Sequence, residues 1–364
     1  MRRRPARLGE PTTSPASLPV GDLADRSSAT SATSPDSDFA ADSLVTQRSP
    51  TAISHAGPLI DRTAAGTVSY YIITMRCNYH MRSARTAAPP ALADMDTPDL
   101  KAEVRGFWDA ASCGEVYADG LTADQRFRQH AAARYSLEPY IHRFARFEDG
   151  AGEDVLEIGV GMGADHLEWA KSGPRHLAGV DLTPRAVAWT SQRLATYGFA
   201  SELKEGDAER LPFQDNSFGI VYSWGVLHHS PDTSQAFREA HRVLRPGGTL
   251  RAMIYHRPSI VGLMLWARYS LATGHPACSL TEVYARHLES PGTKGYTVAE
   301  ARHLVAPFGA CKINSAVSFG DLLLGEVGQQ HTGRALTIAK RFWPRPLVRR
   351  LPVLGLLLLI EATK

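Results

Sequence analysis

Between residues 153 and 256 short continuous apolar runs alternate with amphipathic stretches, a pattern that few architectures accept. Val155 to Ile158, His176 to Val180, Phe218 to Ser223 and Thr249 to Tyr255 read as strands. Between them, Ala164 to Lys171, Pro184 to Tyr197 and Ser234 to Leu244 carry apolar residues at helical spacing. Strands that are apolar throughout need cover on both faces, and a helix between successive strands makes them parallel neighbours. The expected fold is therefore α/β, a Rossmann-like doubly wound sheet.

Beyond Tyr255 the alternation stops, and residues 257–296 read as an insertion, expected to form a substrate lid. A helix from Val298 to Phe308, a strand near Lys312 to Val317, a second insertion over 320–350 and a strand from Leu356 to Ala362 complete the sheet. On the other side, Leu100, Val104, Phe107 and Trp108 recur at helical spacing, which predicts a helical preface up to about residue 148. Pro139 interrupts it, and Tyr140, Ile141, Phe144 and Phe147 then share one face. Residues 1–95, rich in Ser, Thr, Ala, Pro and Arg without apolar periodicity, are expected to be a disordered extension to a folded domain over 96–364. Asp22, Asp25, Asp36, Asp38 and Asp42 argue against a targeting peptide, while Met75, Met81 and Met95 leave a later start of translation open.

Charge excludes little but helps. Lys plus Arg number 40 and Asp plus Glu 37, a net charge of +3, too even to point to nucleic acid. Cys77, Cys113, Cys278 and Cys311 form no C-x-x-C pair and have no histidine at ligand spacing, so no metal is expected and a reducing, cytoplasmic setting fits. No apolar run is long enough to span a membrane.

The run VLEIGVGMG from Val155 to Gly163 sets Gly159, Gly161 and Gly163 between a strand and a helix, where backbone can approach a ligand and a helix N-terminus offers N–H donors. Asp181 ends the second strand and could accept hydrogen bonds from both ribose hydroxyls of an adenosine, or support the helix that follows. Nicotinamide enzymes use the same two devices, so these residues alone do not choose a cofactor.

The further motifs do: GVDLT at 179–183, GDAERLPF at 206–213, DNSF at 215–218, YSWGVLHH at 222–229 and RVLRPGG at 242–248. In this order they resemble the class I S-adenosylmethionine-dependent methyltransferases, in the type 11 branch that includes quinone-biosynthesis and natural-product enzymes. The resemblance covers about residues 153–256, the cofactor half of the fold, and implies a mostly parallel seven-stranded sheet with an antiparallel last strand. It implies S-adenosyl-L-methionine as cofactor, with Glu157, Gly159, Gly161 and Gly163 at the methionine end and Asp181 at the ribose. Leu182 would pack on the adenine, with Asp207 and the Ala208 backbone near its amino group and Trp224 at the rim. Asp207 also reads as a turn residue after Gly206. His228, His229 and Tyr255 lie where the acceptor would react and are the candidate catalytic groups, although a histidine there could equally pack beneath the loop. Tyr135 and Tyr140 could close over the cofactor, and His256 and Arg257 would face the lid. The implied acceptor is a small molecule: a natural product, a quinone or a lipid. A methyltransferase-like protein that binds without catalysis is the rival; a nicotinamide oxidoreductase leaves GDAERLPF and RPGG unexplained. Basic and aromatic residues over 336–351 also suit peripheral membrane contact.

Overall fold

In the computed structural model, which describes residues 97–118, 122–324 and 334–364, the preface forms α1 (Thr97–Ala110), α2 (Ala123–Leu137) and α3 (Ile141–Ala145). The extension over 1–95 and part of the second insertion lie outside the described residues. Thr122 starts α2 with a reciprocal capping box to Gln125. Pro139 ends it by pushing the preceding Glu138 out of the helical region, to φ −125° and ψ 62°.

The alternating segment follows as β1 (Asp154–Ile158), α4 (Ala164–Lys171), β2 (His176–Asp181), α5 (Pro184–Thr196), β3 (Glu202–Glu205), β4 (Phe218–Trp224), α6 (Thr233–Val243) and β5 (Leu244–Tyr255). Then come α7 (Ile260–Tyr269), α8 (Leu280–His287), α9 (Val298–Leu304), β6 (Ala310–Ala316), α10 (Arg334–Phe342), α11 (Arg345–Val348) and β7 (Leu357–Thr363). The strands form one seven-stranded sheet in the order β3-β2-β1-β4-β5-β7-β6. β1 to β5 run parallel, and β7 lies antiparallel to both β5 and β6.

Alternate residues of each strand feed two cores. Leu156 and Ile158 face Phe237, Ala240 and Phe308 on one side, while Val155, Tyr222 and Trp224 join Ile141, Trp169 and Val283 on the other. The RPGG segment, read as a turn before a strand, lies inside β5. It is absorbed as an irregularity between the pairs Phe218–Leu244 and Ile220–Thr249, with Gly247 at φ 80°.

One buried carboxylate joins the two insertions to the last strand. Asp321 Oδ1 accepts from the Val261 N–H at 3.2 Å, at the start of α7. Its Oδ2 accepts from the Ser318 N–H, the Ser318 hydroxyl and the Leu356 N–H, each at 2.8 Å. Every donor points at an oxygen, so an amide cannot replace the acid: whichever way it turns, its NH2 end meets a donor. Asp321→Asn is expected to lower the unfolding free energy by roughly 2–4 kcal/mol, read by urea denaturation. A loss below about 0.5 kcal/mol, the level of an ordinary surface substitution, would show that these donors find other partners.

Candidate active site

A cavity opens at the carboxyl ends of β1, β2 and β4, the place where open α/β sheets bind ligands. Glu157, Gly159, Gly161, Asp181, Leu182, Asp207, Ala208 and Trp224 line it, together with His229 and Tyr255. Gly161 takes φ 52°, and a Cβ built there would stand in open space, so the turn leaves room for a ligand against its backbone. Its N–H donates to Asp181 Oδ2 at 3.1 Å, while Asp181 Oδ1 accepts from the Thr183 N–H and hydroxyl at 3.0 and 2.9 Å. Thr183 itself caps α5, so Asp181 both supports that helix and presents its carboxylate to the cavity.

Gly163 is a correction: it is absent from the cavity wall. Its φ is 71°, and a Cβ there would come within 2.8 Å of Thr190 Oγ1, so this glycine lets α4 pack against α5. Asp207 serves as the turn residue and also holds α1. Its Oδ1 accepts from the Glu209 N–H at 2.9 Å as a turn residue, while Oδ2 takes the Lys101 ammonium of α1 at 2.6 Å.

The cover over the cavity also differs from expectation. Of residues 257–296, only Glu289 lines it; most of the cover comes from the preface, with Lys101, Val104 and Trp108 from α1, Ser112 and Cys113 after it, and His130, Arg134 and Glu138 from α2 and its end, while Phe319 adds to it from the second half of the chain. Tyr135 and Tyr140 do not line it: Tyr135 donates to Asp165 at 3.1 Å, and Tyr140 stacks on Trp224 at 5.9 Å. His256 and Arg257 turn away, to the Gly355 carbonyl at 3.1 Å and to Glu300 at 2.6 Å.

Buried charge holds α2 in place. Arg134 grips Asp165 with two hydrogen bonds, at 2.9 and 2.6 Å, and Tyr222 donates to the same carboxylate at 2.7 Å. Burial opposes ionisation of Asp165, but Arg134 and the tyrosine hydroxyls together bring its carboxyl below the ordinary range. Beside it runs a proton chain. The Ser201 hydroxyl donates to the Leu177 carbonyl at 2.8 Å, so His166 Nε2 must donate to Ser201 Oγ, also at 2.8 Å. That leaves His166 Nδ1 as an acceptor, and Glu157, 2.9 Å away, carries the proton between them. Burial and then the Asp165 charge push the Glu157 carboxyl well above its usual range, and burial takes His166 down to about 3, in agreement with this assignment.

At another part of the wall His229 is buried with its ring held by two hydroxyls, Ser290 Oγ at 2.8 Å and Thr293 Oγ1 at 3.1 Å from Nδ1. Thr293 spends its hydrogen on the Ser290 carbonyl at 2.6 Å, and the two hydroxyls together hold the imidazole ring in place. Nε2 lies 3.3 Å from Glu289 Oε2, which also accepts from the Tyr255 hydroxyl at 2.8 Å. His228 is a correction. It is fully buried and off the cavity wall, packed between the tilted rings of His229 and Tyr255 with ring centroids 4.2 and 4.1 Å away. Burial, then the neighbouring His229, drive its basicity well down, so it is a packing residue and cannot take up a proton near neutral pH. Tyr255 reaches the cavity, but as the donor that orients Glu289.

Glu289, Glu138, Arg134 and Lys101 are the site residues that the sequence did not reveal. His228, His229 and Glu289 each bring a ligand atom within 4.8 Å of the others, a set that could hold a divalent cation and that no local spacing announces.

Part of the chain is similar to known proteins. Residues 156–252 match the sequence family described as a methyltransferase domain. An uncharacterised protein of Mycobacterium tuberculosis is 32% identical over 156 residues, covering 41% of this chain and 57% of that protein. Erythromycin 3''-O-methyltransferase of Saccharopolyspora erythraea is 40% identical over 103 residues, 27% of this chain and 33% of its own. The 27-O-demethylrifamycin SV methyltransferase of Amycolatopsis mediterranei is 28% identical over 162 residues, 43% and 60% of the two chains. The chain thus spans no more than 60% of the length of any of the three.

Glu138 gives the site a pH signature. Burial outweighs the nearby Arg134 and lifts its carboxyl to about 7. The folded chain therefore holds this proton more tightly than the unfolded one, whose carboxyl titrates near about 4.3, and stability falls as pH rises between the two values. Glu138→Gln is expected to match the parent in thermal unfolding at about pH 4 and to be more stable by on the order of 1–3 kcal/mol at about pH 8. Identical pH profiles for the two proteins would mean that Glu138 is ionised throughout.

Proposed function

We propose that this chain, whose residues 156–252 match a methyltransferase domain, is a class I S-adenosylmethionine-dependent methyltransferase that transfers a methyl group to a hydroxyl of a small natural product. The observation that carries this reading is the pairing of His229 Nε2 with Glu289 Oε2, 3.3 Å apart, on the wall of the cavity that also holds the glycine turn and Asp181. Two of the relatives are named for O-methylation of erythromycin and of rifamycin, which supports a hydroxyl acceptor.

The residues present suit the cofactor. Gly161 leaves backbone open to the methionine end, Gly159 lies on the same wall packed against Val226, Glu157 is a carboxyl ready to ionise beside an ammonium, and Asp181 offers a fixed carboxylate to the ribose. Leu182 would face the adenine, with Asp207 and the Ala208 backbone at its amino group and Trp224 at the rim. When bound, S-adenosylmethionine supplies a methyl group already activated by its sulfonium charge. The protein's part is to place the acceptor, a service worth roughly 7–11 kcal/mol of barrier when orientation is good.

The His229–Glu289 pair takes the hydroxyl proton, with Ser290 and Thr293 fixing the imidazole ring. Glu289 stabilises the imidazolium, and Tyr255 keeps the carboxylate turned toward it. Trp108, whose ring meets that of His229 at 5.2 Å, and Trp224 exclude water from the same wall.

Two experiments test the reading. Asp181→Ala should weaken S-adenosylhomocysteine binding by one to two orders of magnitude, roughly 1.5–3 kcal/mol, in calorimetry; unchanged affinity removes Asp181 from the site. With the acceptor identified by mass spectrometry of extracts given labelled cofactor, His229→Ala should slow turnover by roughly 100-fold or more. Glu289→Gln should slow it less, and both variants should keep their cofactor affinity. Wild-type rates in both would retire the pair as proton acceptors, and an acceptor methylated at carbon would overturn the choice of a hydroxyl.

A further inference from the structure

The second insertion carries a surface that the methyl-transfer reading does not use. No acidic residue stands between Glu326 and Glu361, whereas Arg334, Lys340, Arg341, Arg345, Arg349 and Arg350 all do. The sequence allows two accounts of the apolar residues among them: a buried stripe of a solvated helix, or a face that lies on a bilayer. A buried stripe would hide them. Instead Ile338 and Phe342, one turn apart on α10, are 61% and 76% exposed, and Leu347 and Val353 are 58% and 63% exposed. Arg341, Arg349 and Arg350 are exposed beside them.

This is a held surface. The Trp343 indole N–H donates to the Asp321 carbonyl at 2.8 Å, Arg345 donates to the Leu322 carbonyl at 3.0 Å and to the Lys340 carbonyl at 2.8 Å, and Val348 is buried. These contacts seat the segment on the fold while its other apolar side chains point outward. None of the outward residues lines the cavity.

We propose that the outer face of α10, α11 and the turn that follows docks on an anionic lipid surface. Arginines interleaved with exposed Phe, Leu, Ile and Val match such a surface twice: guanidinium groups meet phosphate head groups, and the apolar tips enter the boundary beneath. Among the described residues no helix is long and apolar enough to cross a membrane, so contact is with the surface. A second copy of the chain is the poorer occupant, because it would press two basic faces together without an acid on either.

The test uses the full chain and sedimentation with vesicles of phosphatidylcholine, alone or mixed with phosphatidylglycerol. Binding is expected to the mixed vesicles only and to fade with added salt. Arg349→Gln with Arg350→Gln should weaken it roughly 30-fold, taking about 1 kcal/mol per basic residue at the surface. Phe342→Ser should weaken it roughly tenfold, and both variants should keep parental S-adenosylhomocysteine affinity, which shows that they are folded. A folded chain that stays in the supernatant with the mixed vesicles overturns the proposal, as do variants that bind as well as the parent. So does a dimer in solution that Phe342→Ser disperses, which would assign the face to a second copy.

Discussion

The site depends on one buried ion pair. Arg134 belongs to the helical preface and Asp165 to the first turn of the helix that follows the glycine turn, and their two hydrogen bonds bring separate parts of the chain to one wall. In a low-dielectric interior such a pair repays its desolvation only when its remaining lone pairs are also satisfied, and Tyr135 and Tyr222 satisfy them here. Removing one partner from an arrangement of this kind typically costs about 3–5 kcal/mol, because the other charge stays buried alone. Asp165 also stands at a helix N-terminus, where a negative charge is favoured. The preface is thereby part of the cavity and no detachable addition to it.

That pair also sets the protonation of its neighbours. With Asp165 ionised nearby, a second bare carboxylate at Glu157 would be repelled, and the Ser201–His166 chain provides a partner for its protonated form. Glu157 and His166 are both neutral, and charge is concentrated where Arg134 answers it. At the His229 wall an imidazole stands beside a carboxylate, the pair that the proposed proton transfer would use.

Much of this was legible in the sequence wherever the signal is local. The apolar runs locate β1, β2, β4 and β5, and the glycine turn and Asp181 follow from their place at strand ends. β3 was harder, since ELKE at the sheet edge is polar and only half buried. RPGG reads as a turn by its residues, but sheet pairing on both sides draws it into β5. His228 and His229 are indistinguishable as a dipeptide; only the packing of Tyr255 and Ser290 shows which one faces the cavity. Glu289 and Glu138 have no local signature, because their meaning comes from partners 60 and 86 residues away, His229 and Trp224. The cover over the cavity was hidden for a related reason. An irregular insertion after β5 attracts attention, while the cover comes from ordinary amphipathic helices that precede the glycine turn.

The position of β7 reaches beyond the site. It fills the slot between β5 and β6, although it is made after both. While the polypeptide is emerging from the ribosome, β5 keeps an open edge and β6 has no strand beside it until residues 357–363 arrive. The parallel half, with its glycine turn, can assemble early from neighbouring segments, whereas the antiparallel half waits for a keystone. Birth of this protein therefore includes an interval in which the ligand-binding half is in place and an apolar edge is open, the state most in need of a chaperone.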